Sequence, residues 1–135
     1  TTYETIKSRI TAYCHYQKCF SVIFNAFGNY TNGAFFIAPD TESKAKMVAI
    51  MKEIPKQIQF HVNHKSSEPH ISIGRQLSKE QLQIAYSLFQ KVHLEFLCNG
   101  ITIRKFNPER KQYDIVETIP FNGSDDTFME KWTLF

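Results

Sequence analysis

The chain has 135 residues, 42% of them apolar and 21% charged, a balance that excludes wholesale disorder and collagen-like repeats and fits one globular domain. Sixteen Lys and Arg against 13 Asp and Glu leave a formal charge of +3, too little for a nucleic-acid coat protein but enough for a local basic patch. No apolar run reaches the roughly 18–20 residues of a membrane span, and the N-terminus lacks the layout of a signal peptide.

Ile6, Ile10, Tyr13 and Gln17 recur at helical spacing, which predicts an amphipathic helix over residues 3–17. Residues 19–27 are β-branched and aromatic, a strand. The turn residues of 28–33 and the returning run 34–38 complete a hairpin. Pro39-Asp40-Thr41 opens a second helix with Met47, Ile50, Met51 and Ile54 on its apolar face. Pro55, which lacks an N–H, is expected to end it. A polar loop over 56–69 leads to a short strand at 70–74.

Ser78-Lys79-Glu80-Gln81 is a capping box, and Leu82, Ala85, Tyr86 and Phe89 place the apolar stripe of a third helix behind it. Strands follow: 92–98 alternates, Asn99-Gly100 predicts a two-residue type I′ hairpin turn, 101–106 returns, and 112–119 makes a third strand after the loop 107–111. The order predicts an α+β layer fold with largely antiparallel sheet, one domain over 1–121, and a tail over 122–135 whose Trp132, Leu134 and Phe135 dock on the body.

The stretch that carries most chemistry is Pro69-His70-Ile71-Ser72-Ile73-Gly74-Arg75. Alternate side chains of a strand share a face, so burial of Ile71 and Ile73 would present His70 and Ser72 together on the open side. Gly74 leaves room there for a ligand. A histidine beside a hydroxyl suits acid–base work on a group the hydroxyl helps to hold. The bland reading is a loop-capping His and an outward Ser. Arg104, Lys105, Arg110 and Lys111 cluster around the loop between two strands. Phosphate contact is their functional reading and a solvated loop the plain one.

Pro69–Arg75, the capped helix from Leu77, Cys98-Asn99, Ile101–Phe106, Tyr113–Val116 and the closing Ile119-Pro120-Phe121 together resemble the 2H phosphoesterase superfamily, in its 2′-5′ RNA ligase-like branch. The helix–hairpin–helix of residues 3–54 matches the middle of that fold in order and length. The resemblance implies a bilobal α+β fold with antiparallel sheets and helices outside. It also implies two His-x-Ser/Thr motifs, one per lobe, whose histidines exchange protons while the hydroxyls hold a phosphate, with no metal or cofactor. His70 and Ser72 match the second motif, with Arg75 after it, and Arg104 and Lys105 become candidate phosphate or RNA contacts.

The first motif is not among the 135 residues. His64-Lys65-Ser66 fits the bare pattern but lies in the polar loop six residues before His70, whereas the family places its motifs in different lobes. An N-terminal segment bearing the first motif is therefore expected upstream. On this reading the protein is an enzyme acting on a 2′,3′-cyclic phosphate or 2′-5′ linkage of RNA or a nucleotide, this chain alone is inactive, and it self-associates or retains an N-terminal piece. The alternative is a non-catalytic RNA- or phosphate-binding module of the same fold.

Four other readings are weaker. His61, His64 and His70 have spacings that could bring imidazoles around zinc, but only Glu68 accompanies them, so no metal is expected. Cys14, Cys19 and Cys98 have no CxxC spacing and read as reduced thiols of a cytoplasmic protein. His15 and His93 read as surface or edge residues, and Tyr30, Phe35 and Phe36, though able to stack on a base, as core.

Overall fold

Thr1 caps the first helix: its hydroxyl oxygen accepts from the Glu4 N–H at 3.2 Å, satisfying a donor that a helix start leaves unpaired. Helix α1 then spans Thr2–Tyr16 in a computed structural model that describes residues 1–62 and 65–123. After it come β1 (Phe20–Asn29), β2 (Phe35–Pro39), α2 (Thr41–Ile58), β3 (Ile71–Gly74), α3 (Lys79–Leu88), β4 (Leu94–Cys98), β5 (Gly100–Asn107) and β6 (Gln112–Pro120). The strands form a four-stranded sheet ordered β3-β2-β1-β4 and a two-stranded sheet of β5 and β6. β1–β2, β2–β3 and β5–β6 are antiparallel, so the α+β, antiparallel architecture is the one the pattern predicts.

The described residues group into two compact units. One comprises Ser21–Pro55 and His61–Phe96. Its core comes from alternate positions of β1 and β2: Val22 and Phe24, Phe35 and Ile37, all buried, with Ala85 of α3. Phe27 stacks on Phe35 at 5.5 Å and Phe24 on Phe96 at 5.6 Å. The start of α2 is tied to β1 by a closed set of polar contacts. Asp40 N–H donates to the Ile23 carbonyl, Ile23 N–H donates to Ser43 Oγ at 2.8 Å, and Ser43 N–H donates to the Asp40 carboxylate at 2.8 Å. Ser43 is thereby buried without an unpaired polar atom.

The other unit comprises Thr1–Phe20, Lys56–Phe60 and the described residues from Leu97. Here Ile10 and Cys14 of α1, Ile119 of β6 and Phe121 are buried. The β5–β6 ribbon reads directly from its pairs, Gly100 opposite Pro120 through Asn107 opposite Gln112. Tyr3 and Lys7, one helical turn apart, both reach Glu117 of β6. The backbone beyond β6 closes on the end of α1: Asn122 N–H donates to the Cys14 carbonyl and Gly123 N–H to that of Gln17, each at 2.9 Å. The predicted docking of Trp132, Leu134 and Phe135 falls outside the described residues.

Three local expectations are corrected. Helix α2 continues through Pro55 to Ile58. A proline forfeits one hydrogen bond but holds a helical φ, only the last turn lies beyond it, and that turn is held where the Arg9 guanidinium donates to the Ile58 carbonyl. The helix stops at Gln59, whose φ of 58° is left-handed. Second, Asn99-Gly100 is not a type I′ hairpin turn: β4 and β5 lie in different sheets, and neither residue has positive φ. Gly100 is required for another reason, since a Cβ there would lie 2.7 Å from the Ile119 carbonyl oxygen. Third, Gly28 belongs to β1, and the turn is confined to residues 30–34, with Gly33 at φ 88°.

Candidate functional site

The short strand β3 is the edge of the four-stranded sheet, with β2 as its neighbour. Phe36 stands opposite Ser72 and Ile37 opposite Ile71. Because direct partners share a face, Ile71 lies on the core side with Ile37, half-buried, while Ser72 and Phe36 lie on the other. Ile73 remains 44% exposed, so only one of the two isoleucines takes the buried place the alternation predicts. His70, two residues before Ser72, falls on the Ser72 side and is exposed.

The imidazole of His70 is held on three sides. Its Nδ1 is 2.6 Å from the Glu68 carbonyl oxygen, and a carbonyl can only accept, so Nδ1 carries the proton and Nε2 of the neutral ring has the free lone pair. Tyr30 meets the imidazole edge-on at 5.5 Å, and Phe36 lies against it at 5.3 Å. Burial, with the Glu68 carboxylate nearby, pushes the Tyr30 phenol up. Glu68 itself is bridged by Lys44 at 3.7 Å.

Ser72 lines an open hollow of about 350 Å³ together with Asn32, Ala34, Arg75 and Gln76. Its walls are two tight turns locked together. Gly33 closes the hairpin end, its carbonyl accepts from the Leu77 N–H at 3.0 Å, and a Cβ on Gly33 would lie 2.5 Å from the Leu77 oxygen. Gln76 takes a φ of 53° to make the second turn. The Asn32 side-chain oxygen Oδ1 accepts from the Ala34 N–H at 3.1 Å, leaving the side-chain NH₂ as a donor. Arg75 has no carboxylate partner among the described residues. A hydroxyl, a guanidinium and amide donors around one hollow suit an oxyanion such as phosphate.

The structure thus brings Ser72 and Arg75 to one hollow and His70 to the same strand face. Arg104 and Lys105 belong to the other unit, on β5. Arg104 stands 5.6 Å over the Tyr113 ring, and Lys105 lines a separate hollow with Phe106, Asn107, Pro108, Asp114 and Val116. Arg110 is paired with Asp114 at 3.1 Å. Asn32 and Gln76 escaped the sequence reading, since isolated amides in turns carry no pattern. Tyr30 and Phe36, expected in the core with Phe35, are corrected: both are only half-buried, and Phe36, which follows buried Phe35 directly, leaves the core face. Cys14, Cys19 and Cys98 are free, and burial pushes the Cys14 and Cys98 thiols up, away from thiolate chemistry. His64 lies outside the described residues, and among those described no three His, Cys, Asp or Glu side chains are grouped to hold a metal ion. No helix of the described residues is long and apolar enough to cross a membrane.

Comparison with known proteins bears on the same stretch. No curated protein sequence matches the chain. Among solved structures, protein TT0787 of Thermus thermophilus is similar in fold, with a TM-score of 0.50 and 14% identity, over 90% of this chain and 71% of that one. The 2′-5′ RNA ligase superfamily matches residues 1–110, a span that includes His70, Ser72 and Arg75. A superfamily match over most of the sequence, on an α+β fold of the expected order, means that the chain belongs to the 2′-5′ RNA ligase superfamily of 2H phosphoesterases.

Proposed function

We propose that this protein acts on a 2′,3′-cyclic phosphate or a 2′-5′ phosphodiester of RNA or a nucleotide, with His70 as one of two proton-transfer groups. The observation that supports it is the Glu68 carbonyl on His70 Nδ1, which leaves Nε2 as the working nitrogen of a ring on the strand face that Ser72 shares. In hydrolysis, water attacks phosphorus and gives up a proton, and the ribose oxygen that leaves takes one. His70 performs one of these transfers and a second histidine the other. In ligation, a 5′-hydroxyl replaces water and the balance is unchanged. Ser72 and Arg75 hold the non-bridging oxygens, Arg75 supplying the charge. Arg104 and Lys105 are proposed contacts to RNA or nucleotide phosphate.

On this proposal His70 and Ser72 supply one of the two motifs, so their half of the site binds phosphate by itself and turns over only with the second histidine. The test is hydrolysis of a 2′,3′-cyclic nucleotide by the full-length protein and its His70→Ala variant. Loss of turnover with retained binding supports the proposal, and a His70→Ala rate equal to wild type overturns it. Binding with no turnover by the unaltered full-length protein selects the non-catalytic module instead.

A further inference from the structure

We infer that Phe36 is a positioning residue for His70, and that Gly28 is glycine because it makes the slot in which the Phe36 ring sits. The inference rests on the proton-transfer role proposed for His70, and deepens it. Gly28 and Phe36 are direct partners across β1 and β2. A Cβ on Gly28 would lie 2.7 Å from Phe36 Cε2 and 2.8 Å from Cζ, closer than carbon atoms approach. The ring therefore lies down across the strand, where a side chain at position 28 would lift it. Lying there, it contacts Tyr30 at 4.5 Å and His70 at 5.3 Å, while Tyr30 closes the His70 edge at 5.5 Å.

The cluster does work that the Glu68 hydrogen bond does not do alone. His70 is exposed, so water competes for that hydrogen bond, and a ring free to swing can turn Nδ1 away from the Glu68 carbonyl. Two aromatic walls hold the ring in the plane in which the bond forms, and hence hold both the Nδ1–H tautomer and the direction of the Nε2 lone pair. Phe36 does not line the hollow of Ser72 and Arg75, so its effect on phosphate binding is separable from its effect on the proton.

The test reads His70 first without substrate. Nitrogen-15 spectra of the 135-residue chain report which ring nitrogen is protonated, and free histidine favours the opposite tautomer to the one held here. Wild type and Phe36→Tyr are expected to show the Nδ1–H form, and Phe36→Leu a mixture. Gly28→Ala should reproduce the mixture, because the Phe36 ring is displaced, and should add nothing in a Phe36→Leu background. In the full-length protein, Phe36→Leu should lower kcat by about tenfold or more with KM unchanged. An unmixed Nδ1–H spectrum in both Phe36→Leu and Gly28→Ala overturns the inference. A wild-type rate for His70→Ala would instead overturn the proton-transfer reading, and the spectra would still decide whether Phe36 orients the ring.

Discussion

Ser72 and Phe36 face each other across β3 and β2, so a hydroxyl available to an oxyanion and an aromatic ring against His70 share one sheet face. That pairing separates binding from proton transfer by single residues. Ser72→Ala removes a hydrogen bond to a charged oxygen, worth about 1.5–3 kcal/mol, and should lower kcat/KM of the full-length protein by about ten- to a hundredfold. Ser72 is exposed, so the urea midpoint should move by less than about 0.5 kcal/mol in stability. Arg75→Gln should weaken inorganic phosphate binding and flatten its salt dependence, since the guanidinium is the charge in the hollow. Steady-state kinetics and phosphate titration in increasing salt check both.

Gly100 tests how the chain uses a glycine. Gly100→Ala places a Cβ 2.7 Å from the Ile119 carbonyl oxygen, backbone that cannot swing aside, and should destabilise by about 1–3 kcal/mol. Asn99→Ala should cost less than about 0.5 kcal/mol, because Asn99 is exposed and holds Phe121 only through its own backbone carbonyl. A type I′ turn would instead penalise both changes. Chemical denaturation of the two variants separates the alternatives.

The contrast shows where sequence reasoning reached and where it stopped. Local signals read correctly: Ser78 accepts from the Gln81 N–H at 3.2 Å and Gln81 Oε1 accepts from the Ser78 N–H at 2.9 Å, as the capping box requires. The alternation at 70–73 placed Ser72 outward because a strand allows two faces only. Asn99-Gly100 failed because the same dipeptide serves a tight turn or a close backbone approach, and the choice depends on β6, some twenty residues on. Pro55 failed because Arg9, far away in sequence, supports the turn beyond it. The hollow was invisible, since Asn32 and Gln76 meet only after two turns are joined at Gly33 and Leu77.

Ser43 is the buried polar residue that joins helix α2 to β1. Ser43→Ala leaves the Ile23 N–H without its acceptor and should cost about 1–3 kcal/mol. The Ser43 side chain first and the Ser43 N–H second hold the Asp40 carboxyl below its usual range. A carboxyl lowered by folding adds stability that is present above its unfolded value and lost as pH falls through the folded one. Wild type should therefore lose more stability than Ser43→Ala between neutral pH and the acid side of the carboxylate range. Parallel slopes for the two proteins would contradict this coupling.

Tyr3 and Glu117 give the second pH signature, at both ends of the scale. The Tyr3 hydroxyl donates to the Glu117 carboxylate, and Lys7 reaches the same group at 3.2 Å. Donation to a carboxylate disfavours loss of the phenol proton, so the Tyr3 phenol is pushed up from 10.0 to about 12. Glu117 is lowered by the same bond first and by Lys7 second. For Tyr3, whose folded value exceeds the unfolded one, the contribution is complete below about pH 10 and is lost as pH climbs toward 12. For Glu117 it is present above the unfolded carboxylate value and lost in acid. Tyr3→Phe should thus flatten the alkaline fall in urea midpoint and part of the acid one, while Glu117→Gln should flatten both. If Tyr3→Phe and wild type lose stability in parallel between about pH 10 and 12, the tyrosine is not held by Glu117 in solution, and the contact of α1 with β6 rests on Lys7 and the buried Ile10, Cys14 and Ile119.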